Sequence, residues 1–381
     1  MQEKLYNLNL RQATWLELFF DLVFVAVIGV VTHDLAHTHH GHLSAEQLLR
    51  FPLVFIPVWW IWATHTVYAN HFDNNDRWHR LFALVIMGFL VLLSLFIEES
   101  QGETFIQFTL IYAFIRVLMT GSYLRINSKS QERITFTKEM AGSAFIGAVI
   151  SASAVFFDGI TKFIVFYSGI LTDMVLQLLF RRKMVNFPID RKHLVERAGL
   201  LVIILLGESV ITMISSLSHI QFNDFYAIAS AITGFTMLWA VWWIYFDSYN
   251  NLERAKRITD GNVLIYTHLI LCMGLLILAN LIGHSIRQDL DTETFRMLAI
   301  TGMCGFYLGK QVIYHVCFPP FRKMIYINTA VCITLTIAST FLPRIEFALM
   351  GITGAMLFYV YSTFKWLLPN NIDKYLVKGA H

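Results

Sequence analysis

A chain of 381 residues that is 56% hydrophobic and only 14% charged cannot cover a water-facing surface of its size, since soluble domains carry about 25% charged residues. A mean hydropathy of +0.57 and 32 phenylalanines make lipid the solvent, and exclude a soluble enzyme, a nucleic-acid-binding domain and a disulfide-stapled secreted domain. The net charge of +3 excludes nothing; the placement of the charges matters more.

The first thirteen residues are polar and lead into an apolar run long enough to span, so no cleavable signal peptide is expected. Twelve stretches reach the roughly 20 mostly apolar residues that a spanning helix needs. They are 14–36, 48–70, 80–98, 104–124, 138–157, 161–180, 197–216, 224–247, 262–285, 294–316, 324–342 and 345–367. The weakest separation is between the fifth and sixth, where only Asp158 and Gly159 interrupt. The runs are continuous rather than alternating, which argues against a transmembrane β-barrel. The expected fold is an all-α polytopic membrane protein of about 12 transmembrane helices.

Orientation follows from Lys and Arg. With the N-terminus in the cytoplasm, 22 of the 29 basic residues fall in cytoplasmic segments and 5 in outer ones; Arg116 and Lys310 lie within spans. Both termini are therefore expected to be cytoplasmic. A faint repeat aligns the stretch opening at Glu17 with that opening at Glu196, and Trp59-Trp60-Ile61 with Trp242-Trp243-Ile244. It predicts two parallel six-helix halves, 1–180 and 197–381, joined by a basic linker, 181–196, and related by an axis along the membrane normal.

Ionisable groups inside hydrocarbon are costly unless partnered, so they are the first place to look for function. Glu17 and Asp21 are four apart and share a helix face. Asp21 lies about 10 Å past the start of its span at Thr14. Glu208 is near the middle of the seventh span; Asp173, Arg116, Lys310 and Asp247 are the other charges inside or at the ends of spans. Such carboxylates handle protons or cations, or else pair with Arg197, Arg116 or Lys310 and hold helix register. Glu17, near the interface, is read as structural; Asp21 and Glu208 are read as coupling residues. Gly199 and Gly207 let a neighbouring backbone approach, the commoner use of paired glycines; the alternative is that Gly207-Glu208-Ser209 marks a helix loosened around a ligand. Ser143, Gly147 and Ser151, at four-residue spacing, predict close helix packing.

His33, Asp34 and His37, within one helical turn at the outer end of the first span, are weak candidates for a divalent-metal site, in a segment that also holds His39, His40 and His42. His65 and His268 lie deeper, where an imidazole relays a proton or bonds a neighbouring helix. Trp59, Trp60 and Trp62, mid-span, are read as packing; Trp239, Trp242 and Trp243 fit an interfacial aromatic belt. Cys272, Cys304, Cys317 and Cys332 lack CxxC spacing and are read as packing residues. There is no Walker A, HExxH or GxSxG sequence. No cofactor is expected, and an enzyme is the lesser expectation.

Trp15-Leu-Glu-Leu-Phe-Phe-Asp-Leu-Val-Phe-Val, the His193–Ser209 stretch and Trp242-Trp243-Ile-Tyr-Phe-Asp247 together resemble the bacterial low temperature requirement protein A (LtrA) family, in the family's order and over essentially the whole chain. The resemblance implies a multipass protein of the bacterial inner membrane, linked by name to growth in the cold. By motif it carries over Glu17, Asp21, Glu196, Arg197, Gly207, Glu208 and Asp247; it names no substrate. Phe19-Phe20-Asp21 is also similar to the Phe-Ser-Asp signature of a lysosomal potassium-channel family built from two six-helix repeats. Here the Ser is absent, and Leu200 stands where the second Asp would be.

The leading expectation is a proton-coupled secondary transporter of a small solute or ion, with Asp21 and Glu208 as coupling carboxylates and Glu17, Glu196, Arg197, Asp247 and His65 in support. The alternatives are a non-transporting membrane protein (a lipid-modifying enzyme or an envelope scaffold needed in the cold) and a cation channel. The expected partners are membrane lipids, the solute or ion, and a second copy of the chain in a homo-oligomer; no nucleic acid is expected.

Overall fold

The computed structural model describes residues 12–38, 41–72, 76–97, 100, 102–126, 130–180, 189–218, 224–247, 249, 252, 261–363 and 365. Residues 181–188 of the expected linker, the His39–His40 pair, the end of the twelfth expected span and many of the loop Lys and Arg residues behind the expected orientation lie outside the described residues.

The described residues form twelve α-helices and no strand. They are α1 (Trp15–His33), α2 (Ala45–Phe72), α3 (Arg77–Ser94), α4 (Phe105–Leu124), α5 (Gln131–Ser153), α6 (Gly159–Leu179), α7 (Arg191–Leu217), α8 (Phe225–Phe246), α9 (Asn262–Arg287), α10 (Thr292–Cys317), α11 (Arg322–Ser339) and α12 (Ile345–Ser362). Ten are long and apolar enough to cross a membrane; α10 and α11 fall short of that measure. Glu293, Arg296 and Lys310 dilute α10, and Arg322, Lys323 and Asn328 dilute α11. The chain is a polytopic helical membrane protein. The narrow break between α5 and α6 is a 3-10 turn, Ala154–Phe156, followed by Asp158 and by Gly159 at φ +60°. That left-handed conformation strains a residue with a Cβ, so a glycine opens α6.

One hydrophobic core runs through the bundle. Helix α9 is its centre, packed against α7, α8 and α10, with its apolar stretch buried on nearly all sides. Helix α1 packs on α2, α3 and α7. Close approaches are made with small residues, because van der Waals packing replaces the hydrophobic effect between helices in lipid. A Cβ on Gly305 would meet the Gly274 Cα at 3.0 Å, bringing α10 against α9. A Cβ on Gly147 would meet the Gly169 carbonyl oxygen at 2.9 Å, and Ser151 Oγ donates to the Phe166 carbonyl at 2.9 Å. The expected close packing of α5 is thus made against α6.

Pro52 and Pro57 interrupt the hydrogen-bond ladder of α2. Pro57 has no N–H for the Leu53 carbonyl four residues earlier. The Tyr167 hydroxyl of α6 donates to that carbonyl at 2.8 Å instead. A neighbouring helix thereby satisfies what the proline leaves open, as hydrocarbon requires.

Candidate functional site

Two helix starts meet at one end of the bundle. Helix α1 begins with a capping box: Glu17 N–H donates to Thr14 Oγ1 at 3.3 Å and Thr14 N–H donates to Glu17 Oε2 at 2.8 Å. Helix α7 begins at Asp190, whose carboxylate accepts from His193 N–H at 3.1 Å. The end of α2 latches onto this start. Asn70 Nδ2 donates to the Asp190 carbonyl at 2.9 Å, Asp190 N–H donates to Asn70 Oδ1 at 2.9 Å, and Asn70 Nδ2 lies 3.0 Å from His193 Nδ1.

Glu17 and Asp21 on α1 face His193 and Arg197 on α7, each pair four residues apart and on one helix face. Arg197 Nη1 lies 3.2 Å from Glu17 Oε1. Arg197 Nε and Nη2 donate to the two oxygens of Asp21 at 3.0 and 2.5 Å. His193 Nε2 is 3.2 Å from Glu17 Oε2. Trp62 Nε1 of α2 donates to Asp21 Oδ1 at 2.7 Å, and Arg197 Nη2 reaches Thr66 Oγ1 at 3.5 Å. All four ionisable side chains are fully buried. Two carboxylates thus share one arginine and one imidazole.

Further along the same seam, Gly29 of α1 faces Glu208 of α7; a Cβ on Gly29 would meet Glu208 Oε1 at 2.9 Å. The contacts Glu17–His193, Asp21–Arg197 and Gly29–Glu208 keep nearly one offset, so α1 and α7 run parallel. Glu208 is about 16 Å beyond Arg197 along the helix. It is half-buried, with no hydrogen bond or ion pair among the described residues. Gly207 beside it has nothing within 4 Å of a Cβ position, so the expected backbone approach there is not made. Helix α7 continues unbroken through Gly207–Ser209 rather than loosening. Gly199 does meet a neighbour, the Tyr249 ring, 2.8 Å from its Cβ position.

A second buried pair lies between α4 and α6. Arg116 bonds Asp173 and donates to Thr64 Oγ1 at 2.6 Å; Trp60 Nε1 donates to Asp173 Oδ2 at 2.6 Å. Trp60 and Trp62, expected only to pack, thus supply indole N–H groups to the two buried aspartates. The sequence points to His193 only through its four-residue spacing from Arg197, which matches that of Glu17 and Asp21, and it gives no sign of Asn70.

The remaining candidates are scattered. His65 is buried, stacks on Phe20 with ring centroids 3.8 Å apart, and finds no hydrogen-bond partner for either ring nitrogen among the described residues. Glu196 sits on α7 outside the cluster, without a hydrogen bond or ion pair among the described residues. Asp247 caps the end of α8 within electrostatic reach of Lys310. Lys310 bonds the Tyr359 hydroxyl at 3.3 Å and lies over the Tyr314 ring. His33 and His37 approach to 3.2 Å through their Nε2 atoms, while Asp34 turns to Arg50 at 3.1 Å. The three do not converge, and the described residues hold no cluster of three or more His, Cys, Asp or Glu suited to a metal ion.

Fold and site together define a multipass helical membrane protein whose first and seventh helices are joined by buried charge. The chain belongs to the bacterial low temperature requirement A protein (LtrA) family, whose model matches residues 12–361. It is 24% identical over 375 residues to a protein of Rhizobium meliloti (strain 1021) described as uncharacterized, covering 93% of this chain and 89% of the relative. No solved structure matches it.

Proposed function

We propose that the protein is a proton-coupled secondary transporter of a small solute or ion. One observation carries this reading: two carboxylates, Glu17 and Asp21, share one arginine, Arg197, with His193 beside them in a fully buried cluster. Net charge in a low-dielectric interior is costly, so a proton arriving at or leaving the Glu17–Asp21–His193–Arg197 group changes how tightly the two helices are held. Glu208 supplies a second protonatable group on the same seam, unpaired and half exposed. In this reading α1–α6 and α7–α12 are parallel repeats that rock about the seam, and the bias of Lys and Arg supports cytoplasmic termini in a bacterial inner membrane.

The test is proton flux into proteoliposomes, followed with a trapped pH-sensitive dye under an imposed gradient, with a mixture of small metabolites and inorganic ions supplied as the solute. Wild-type protein conducts protons above empty vesicles, and His193→Gln and Glu208→Gln each lower the rate at least 10-fold with their melting temperatures recorded alongside. Wild-type flux equal to that of empty vesicles between pH 5 and 8 overturns the proposal.

A second reading rests on a specific observation: Asp21 is enclosed and both its oxygens are engaged. A fully paired cluster suits a non-transporting envelope scaffold. In that case His193→Gln lowers the melting temperature of a protein whose wild type carries no flux.

A further inference from the structure

At the end of the bundle where α1 and α7 begin, a cavity of about 280 Å³ opens between the end of α2, the start of α3, the end of α4 and the start of α5. Tyr68, Phe72, Asp76, His79, Arg125, Ile126 and Arg133 line it. Its size is close to the lower end of small-molecule pockets, about 300 Å³, and its walls are mostly polar.

Among the described residues the charges in this wall are unbalanced. Asp76 is the carboxylate there, and it is committed to the start of α3: its Oδ1 accepts from His79 N–H at 2.6 Å. That bond, at a helix N-terminus, holds the carboxyl below its ordinary 3.8 despite some burial, with Arg125 adding to the effect. The other oxygen lies 3.6 Å from Arg125 Nη1, beyond hydrogen-bond reach. Arg133 gives one N–H to the His71 carbonyl at 3.3 Å. A guanidinium carries five N–H donors, so among the described residues both arginines keep donors to spend. Both also pack on rings: Arg125 lies 5.1 Å from the Trp78 ring centroid and Arg133 5.3 Å from that of Phe72. Cation–π contact of this kind fixes a guanidinium without using its N–H groups.

We propose that this cavity binds a small oxyanion, a phosphate monoester or a carboxylate, gripped between Arg125 and Arg133. Planar guanidinium forks match phosphate and carboxylate oxygens two at a time. Tyr68 and Phe72 offer apolar surface to the body of such a ligand. The site is separate from the α1–α7 cluster, and the proposal stands whether or not the protein transports. The oxyanion comes from one of two sources, a soluble molecule or the headgroup of an anionic lipid.

The full-length protein in zwitterionic nanodiscs is titrated with phenyl phosphate and with inorganic phosphate, reading melting temperature and heat of binding. In parallel it is melted in nanodiscs containing phosphatidylglycerol. Saturable binding of the phosphates, at least 10-fold weaker in the Arg125→Gln/Arg133→Gln variant, identifies a soluble source. Stabilisation by phosphatidylglycerol alone, lost in the same variant, identifies the headgroup. The Arg125→Lys/Arg133→Lys variant keeps the charge and the fold but loses the forks, and is expected to bind less tightly than wild type. Lys138→Gln, which removes an exposed cation outside the cavity, is expected to bind as wild type does. Equal responses of wild type and both arginine variants to every probe overturn the proposal.

Discussion

Removing Arg197 would leave Glu17 and Asp21, one turn apart on α1, buried without their arginine from α7. Taking one partner from a buried ion cluster costs about 3–5 kcal/mol, because the charges left behind have neither water nor counter-ion. Arg197→Met is therefore expected to lower the melting temperature of the detergent-solubilised protein sharply. The triple variant Glu17→Gln, Asp21→Asn, Arg197→Met leaves no buried charge from this trio and is expected to recover most of the loss. A triple variant no more stable than Arg197→Met alone would contradict this account. At the residue scale the sequence was half legible. Charges four apart on two helices are visible as patterns, and so are their apolar surroundings. The indole of Trp62 is not, because it reads as an apolar side chain until helix rotation aims its N–H at Asp21. Asn70 is equally silent, because its bonds go to the backbone and side chain of residues 120 positions or more away.

The helices themselves show how lipid shapes an element. Pro57 leaves the Leu53 carbonyl without its ladder partner, and Tyr167 replaces the missing donor. Tyr167→Phe is expected to cost about 1 kcal/mol, the net worth of one such bond, read as a lower melting temperature with the helical circular dichroism unchanged. Gly305 is less tolerant. Gly305→Leu would drive a side chain into the Gly274 backbone, and overpacking of this kind costs about 1–3 kcal/mol or more; separation of α10 from α9 is checked by faster proteolysis between them. The apolar runs announced these elements well, and the narrow Asp158–Gly159 break proved sufficient because Gly159 adopts a positive φ. Helices α10 and α11 show the limit of such reading. Both pack within the bundle, so their polar groups find protein partners that hydropathy alone does not register.

For the molecule as a whole, the end opposite the buried cluster is tied by a second set of contacts. Helix α1 ends in a 3-10 turn, Asp34–Ala36, and the carbonyls of Leu35 and Ala36 are taken up by the end of α9. His284 Nε2 donates to the Leu35 carbonyl at 2.6 Å, and Arg287 Nη2 to that of Ala36 at 3.0 Å. Asp289 steadies both donors: His284 Nδ1 lies 2.7 Å from Oδ1, and Arg287 Nε donates to Oδ2 at 2.9 Å. Burial alone would push the Asp289 carboxyl up, but its bonds to His284 and Arg287 outweigh burial and hold it below the ordinary 3.8. A carboxyl depressed in the folded state adds stability above its unfolded pKa, and that stability is lost as pH falls through the folded pKa. Melting temperature is thus expected to fall as pH drops below about 4, and less steeply in Asp289→Asn; parallel curves for the two proteins between pH 3 and 6 would remove Asp289 from the explanation. Nothing in the sequence announces this tie, since it joins residues 249 positions apart through backbone carbonyls that every residue possesses.

Helix α1 is consequently clamped at two points by two different partners, α7 at its start and α9 at its end. Between the clamps its neighbour on α7 is Glu208, an unpartnered carboxylate against the bare backbone of Gly29. Held at each end by a different helix, α1 cannot slide along α7 without straining one clamp or the other. Between the clamps Gly29 marks the place where the two helices meet through a carboxylate that makes no bond among the described residues.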